Sequence, residues 1–241
     1  MGYPSTLTAP EWGLYDTLFE GKAFTFPQPL HCYVMENILF KVAFPAEFHA
    51  QTAVECAITL HPQVHSRIEK IAEIHLETQE AARRIIDKKG PLYNPADRDH
   101  CLQYMVAVAL LKGALIAEDY SNENAKDPRI DALRCKTTVS ENPCYTRDYL
   151  DPQKRAISNS MYIRFTDGSQ IGPVEIEYPL GHRKRRQEAR PLIFEKFAQN
   201  VASGYSKERG EQLAKLFQNA EKLLPLSVSD LVDLFPRIIH P

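Results

Sequence analysis

The chain has 241 residues, 44% of them apolar and 25% charged, with a formal net charge of -2. This excludes intrinsic disorder, collagen and low-complexity fibres, and the lack of a broad basic field argues against a nucleic-acid partner. No run reaches the roughly 20 apolar residues of a membrane span, and the best candidate, 105–117, is interrupted by Lys112.

In chain order, Thr8-Ala9-Pro10-Glu11 has the form of a capping box, which predicts a first helix with Trp12, Tyr15, Leu18 and Phe19 on one face and Gly21 closing it. The Pro- and aromatic-rich stretch 22–37 suggests a packed connector, and a short apolar segment, 38–44, leads to Pro45. A helix is expected over about 46–60, ended by His61-Pro62. The alternation in 71–77 predicts a strand, followed by a helix near 79–87 and a break at Gly90-Pro91. Asn94-Pro95-Ala96-Asp97 opens what reads as one long helix to about Gly113. A short helix is expected from Asp127-Pro128 and a strand over 135–140. The clearest hairpin joins 161–166 to 174–178, with a bulge or longer loop around Gly172-Pro173. Helical patterns return over 187–202, 206–223 and 227–235. Strands confined to the middle and helices at both ends predict an α+β fold.

Five cysteines, Cys32, Cys56, Cys101, Cys135 and Cys144, form no Cys-x-x-Cys pair. That disfavours a disulfide framework and iron–sulfur ligation, and it fits a reducing cytoplasm or organelle matrix. No Gly-rich phosphate loop, zinc helix or nucleophile elbow is present. His61 and His65 are four apart, but the intervening Pro62 argues against a metal pair.

Three constellations could carry chemistry. In the first, Lys41 precedes a helix start bearing Glu47, His49 and Gln51. Free N–H groups there favour an anion, so Lys41 could help hold a carboxylate while Glu47 and His49 move protons. The plainer reading is a surface lysine, a dipole-complementing glutamate and a hydrogen-bonded histidine. In the second, Asp97-Arg98-Asp99-His100 sits at another helix start, with Tyr104 placed to share a face with His100. Arg98 could grip a carboxylate bidentately, or simply pair with a neighbouring acid. The third, His182-Arg183-Lys184-Arg185-Arg186, has no interleaved aromatics and reads as a solvated face or a contact for an anion or a partner.

Residues 44–55, Phe44-Pro45-Ala46-Glu47-Phe48-His49-Ala50-Gln51-Thr52-Ala53-Val54-Glu55, and the block 85–105 around Tyr93-Asn94-Pro95-Ala96-Asp97-Arg98-Asp99-His100 resemble the MmgE/PrpD family. So do the opening Met1-Gly2-Tyr3-Pro4-Ser5, Thr8-Ala9-Pro10, Trp12-Gly13 and Tyr178-Pro179-Leu180-Gly181-His182-Arg183. The resemblance implies the C-terminal half of a chain about twice as long. Residues 1–37 and 182–241 would belong to an incomplete all-helical domain, and 38–181 to a smaller α+β domain with a mainly antiparallel sheet.

The implied reaction is dehydration of 2-methylcitrate to 2-methyl-cis-aconitate in propionate breakdown, with no cofactor, metal or iron–sulfur cluster. The implied substrate is a small tricarboxylate, and the implied location is the cytoplasm, or the mitochondrial matrix in a eukaryote. A homodimer is implied for the full-length protein, and weak activity for this chain alone. Lys41, His49 and His100 are the expected catalytic residues; Arg98, Glu47, Gln51 and Tyr104 are the expected substrate-binding ones. Two alternatives stay open: decarboxylation of cis-aconitate, or a non-catalytic fragment acting as an interaction module.

Overall fold

A computed structural model describes residues 6–22, 24–26, 29–30 and 32–235. The chain forms two compact units, 1–38 and 39–241. The first holds α1 (Leu14–Phe19) and α2 (Tyr33–Asn37). The expected capping box does not form: Glu11 adopts φ 64°, and α1 starts later, with Gly13 as an N-cap that offers no side-chain bond. Gly13 tolerates no Cβ, because one would lie 2.4 Å from the Ala9 carbonyl oxygen. Trp12 is left exposed. The helix α2 falls inside the stretch read as a connector.

In the second unit, α3 (Gln51–Val64) follows a single 3-10 turn, Phe48–Ala50. It does not end at His61-Pro62 as expected but runs through the proline to Val64. Proline removes one helical hydrogen bond, and two tertiary anchors hold the backbone there. The ring of His61 bonds the Leu110 carbonyl oxygen through Nδ1 at 2.8 Å, and Val64 is fully buried. Then come β1 (Ile71–Thr78), α4 (Glu80–Ile86), α5 (Pro95–Asp99), α6 (Leu102–Lys112), α7 (Pro128–Cys135), β2 (Thr137–Glu141), α8 (Pro143–Leu150), β3 (Asn159–Phe165) and β4 (Gln170–Ile176). The chain ends with α9 (Arg186–Ala202), α10 (Lys207–Phe217), α11 (Ala220–Leu223) and α12 (Val228–Asp233).

The four strands lie in the order β2-β1-β3-β4. The β1–β3 and β3–β4 pairs are antiparallel and β1–β2 is parallel. That parallel pair needs the long α4–α7 crossover. The architecture is therefore α+β with a mixed, mostly antiparallel sheet. The expected irregularity in the hairpin is present: Met161 pairs with Val174 and Ile163 with Ile171, leaving Gly172 and Pro173 opposite Tyr162 alone.

One sheet face is the core. Ile74, Leu76, Met161, Ile163 and Phe165 share one buried cluster with residues of α3 and α6, and α3 packs against β3, β4 and α6. Burying each such side chain contributes about 1.5–3 kcal/mol before entropy is counted. Every residue of α6 from Leu102 to Leu110 is buried. Its all-round apolarity therefore marks a helix enclosed by protein, not a membrane span. Among the described residues, no helix is long and apolar enough to cross a membrane.

The basic run 182–186 is engaged within the chain. Arg185 pairs with Glu55 and Glu188, Lys184 donates to the Tyr178 hydroxyl, and Arg186 stacks on Phe40. His182 is buried, its ring on Tyr178 and its Nδ1 accepting from the Lys184 amide. Burial, then the charges of Arg183 and Lys184, push its pKa down to about 4. The sign follows: below pH 6.5 the unfolded chain takes up this proton before the folded one does. Stability should therefore fall as pH drops from 6.5 towards 4, by up to about 3 kcal/mol from this group. Urea unfolding midpoints across that range should lose this component in His182→Gln; an unchanged slope would reject it.

Candidate active site

The segment 41–51 is built around the helix start that the sequence suggested. Glu47 caps the 3-10 turn: its Oε2 accepts from the His49 amide and its Oε1 from the His49 ring Nδ1, both at 2.8 Å. The two side chains are only 14% and 12% exposed. Burial alone would raise the Glu47 pKa, but the His49 hydrogen bonds and charge outweigh it and hold the carboxyl below its usual range, with a smaller contribution from His100. An ionised carboxylate only accepts, so Nδ1 of His49 carries the proton. In the neutral ring Nε2 then carries the lone pair. It faces the Tyr149 hydroxyl of α8 at 3.3 Å. The result is a carboxylate–imidazole–phenol chain with a defined tautomer.

Lys41 is exposed, with its ammonium 5.0 Å from the centre of the Phe48 ring. It lines a cavity of about 410 Å³ together with Pro45, Ala96, Asp99 and Tyr120. Tyr120 is the hub of that wall. Its hydroxyl donates to the Pro45 carbonyl at 2.9 Å, its carbonyl accepts from Arg98, and its ring stacks against Tyr104.

The remaining sequence candidates support this wall. Arg98 is 5% exposed, and its guanidinium donates to the Tyr120 carbonyl at 2.6 Å. The Tyr104 hydroxyl donates to the Asp119 carbonyl at 2.5 Å, and burial pushes its pKa up to about 12. Gln51 is buried and its amide donates to the carbonyls of Phe44 and Ala46, fixing the turn around Pro45. His100 is half-exposed, 3.6 Å from Asp99.

The structure corrects one local expectation. The single helix over 94–113 is two: α5 ends at Asp99, His100 takes φ -107°, ψ 28°, and α6 begins after Cys101. The polar α5 is capped by Asn94 and braced by Lys88–Asp97, whereas α6 is mostly apolar and dives into the core. One straight helix could not satisfy both, so His100 and Tyr104 do not share a helical face.

Sequence reasoning missed Tyr149 and Tyr120. Tyr149 lies 100 residues from His49 on a helix without a strong pattern, and no local spacing links the two. For Tyr120, only its place in a short turn after the α6 cap was available. Among the described residues, no cluster of three or more His, Cys, Asp or Glu side chains is arranged to hold a metal ion.

Comparison with known proteins bears on the family of the chain. The family model described as the MmgE/PrpD C-terminal domain matches residues 44–222. The chain is 51% identical over 238 residues to the 2-methylcitrate dehydratase of Salmonella typhimurium, covering 98% of this chain and 49% of that protein. It is 50% identical over the same length to that of Escherichia coli. It is 48% identical over 239 residues to the mitochondrial 2-methylcitrate dehydratase of Yarrowia lipolytica, covering 98% of this chain and 46% of that protein. The chain spans about half the length of the curated relatives it matches.

Proposed function

The chain belongs to the MmgE/PrpD family, and from that premise we propose that it supplies the C-terminal domain's share of a 2-methylcitrate dehydratase site. The observation that carries this reading is identity near 50% along 98% of the chain to proteins bearing that name. In the reaction, a base takes a proton from the carbon next to a carboxylate. The C–O bond to the hydroxyl breaks, the hydroxyl leaves as water after gaining a proton, and a C=C bond forms.

Two groups here suit those needs. The His49 Nε2 lone pair, fixed by Glu47, is a ready proton acceptor. The Lys41 ammonium on the cavity wall can hold a substrate carboxylate and the negative charge that builds up when the proton leaves. His100, half-exposed beside Asp99, is a further candidate for proton transfer, while Arg98, Tyr104 and Gln51 position the wall and the turn around Pro45.

On the same reading, residues 1–37 and 182–241 count with a helical domain, and 38–181 form the smaller α+β domain. A homodimer, a tricarboxylate substrate, and a cytoplasmic or mitochondrial-matrix location belong to this proposal as well.

The test compares this chain with a version extended to the relatives' length, following ultraviolet absorbance of the conjugated product from 2-methylcitrate. Turnover is expected for the extended protein and little for the chain alone. Release of carbon dioxide from cis-aconitate with no dehydration would replace this reading with the decarboxylase one.

A further inference from the structure

The continuation of α3 through Pro62 brings together a pair that the active site does not use. His61 and His65 lie one turn apart with ring centroids 5.2 Å from each other. Nδ1 of His61 lies 2.8 Å from the Leu110 carbonyl oxygen. Nδ1 of His65 lies 3.1 Å from the Pro62 carbonyl oxygen and 3.3 Å from that of His61. A carbonyl oxygen only accepts, so in both neutral rings Nδ1 carries the hydrogen and Nε2 carries the lone pair. This is the outer-shell arrangement that fixes a metal-binding histidine: one nitrogen tied to a backbone oxygen, the other left to the metal. Neither Nε2 has a hydrogen-bond partner among the described residues.

We propose that His61 and His65 form a surface site for one borderline divalent transition-metal ion, such as Zn²⁺, Cu²⁺ or Ni²⁺. Ring spacing supports it. A metal ~2.0–2.1 Å from Nε2 lies ~3.2 Å from the ring centroid, so two imidazoles on a tetrahedral ion have centroids ~5.2 Å apart. The surroundings add to this. The C-terminal ends of α3 and α6 converge here, and the negative ends of both helix dipoles favour a cation. Gly113, the left-handed cap of α6, leaves the space open: a Cβ there would lie 3.0 Å from Nε2 of His61. Among the described residues no third His, Cys, Asp or Glu completes a cluster, so water fills the other positions. With imidazole as its only protein donor, the site selects against Mg²⁺ and Ca²⁺, which require oxygen ligands. The inference is independent of the dehydratase reading.

The experiment is equilibrium dialysis of the untagged protein against Zn²⁺, with electron paramagnetic resonance of the Cu²⁺ form. One ion per chain is expected, with two imidazole nitrogens in the Cu²⁺ spectrum. His65→Gln alters an exposed side chain, so circular dichroism should not change. Its affinity should fall by at least the ~10-fold that loss of an outer-shell partner produces. His61→Gln should do the same, and His75→Gln should change nothing. Affinity unmoved by His65→Gln, or a spectrum with a single nitrogen ligand, overturns the proposal.

Discussion

If the proposed dehydratase reading holds, replacing His49 by glutamine in the version extended to the relatives' length is expected to lower kcat for 2-methylcitrate by ~10²–10⁴-fold, the span of general acid–base catalysis, with a small change in KM. The size follows from how the ring is held. Glu47 fixes both the amide and the ring of His49, so on the proposed reading the imidazole would meet the substrate already oriented and with its proton on Nδ1. Glutamine keeps bulk and polarity but has no basic nitrogen. The companion Glu47→Gln tests the orientation separately. Its amide can donate to Nδ1, which drives the ring proton to Nε2 and removes the lone pair from the working face. A loss between wild type and His49→Gln is expected. Steady-state kinetics on both variants decide the matter, and a kcat within threefold of wild type for His49→Gln removes this histidine from the mechanism.

What the sequence made legible follows from the range of the forces involved. Local signals were sound where one physical cause dominated. Alternation in 71–77 gave β1, and the paired runs 161–166 and 174–178 gave the β3–β4 hairpin. The polar start at 94–97 gave a capped helix. They failed where tertiary contacts overrode local chemistry. Pro62 should have stopped α3, but the His61–Leu110 bond and the buried Val64 carry the helix past it. Continuous helical propensity hid the break at His100-Cys101, where a polar turn meets a segment that must be buried on every side. The site shows the same division. Glu47 and His49 are two residues apart and could be paired from sequence. Tyr149 and Tyr120 reach the site through folding of distant segments. Arg98 looked like a carboxylate grip because its charge is visible in sequence and its burial is not.

The sharpest test of how the site works is Lys41→Ala, for which kcat/KM should fall by ~10²–10³-fold. In this chain Lys41 is exposed, and its described contact is with the face of Phe48, a cation–π contact worth ~0.5–1 kcal/mol at an exposed position. Its removal should therefore leave the melting temperature nearly unchanged, and a loss of activity would not reflect unfolding. Magnitude then separates two pictures. A lysine facing bulk water attracts a carboxylate 4 Å away by only ~1 kcal/mol, about a fivefold effect, whereas at the effective dielectric of a half-closed protein site the same pair gains ~4 kcal/mol, close to 10³-fold. The cavity wall of Pro45, Ala96, Ala117 and Tyr120 excludes water on one side only. A loss of 10² or more in the version extended to the relatives' length thus requires the added segment to close over Lys41. Lys41→Arg sharpens the comparison: it keeps the charge but replaces a compact ammonium with a wide planar fork. Partial rescue by arginine would assign Lys41 to carboxylate binding, and no rescue would assign it to a charge that develops at one atom. A fall of less than fivefold in Lys41→Ala would leave it a solvated surface lysine.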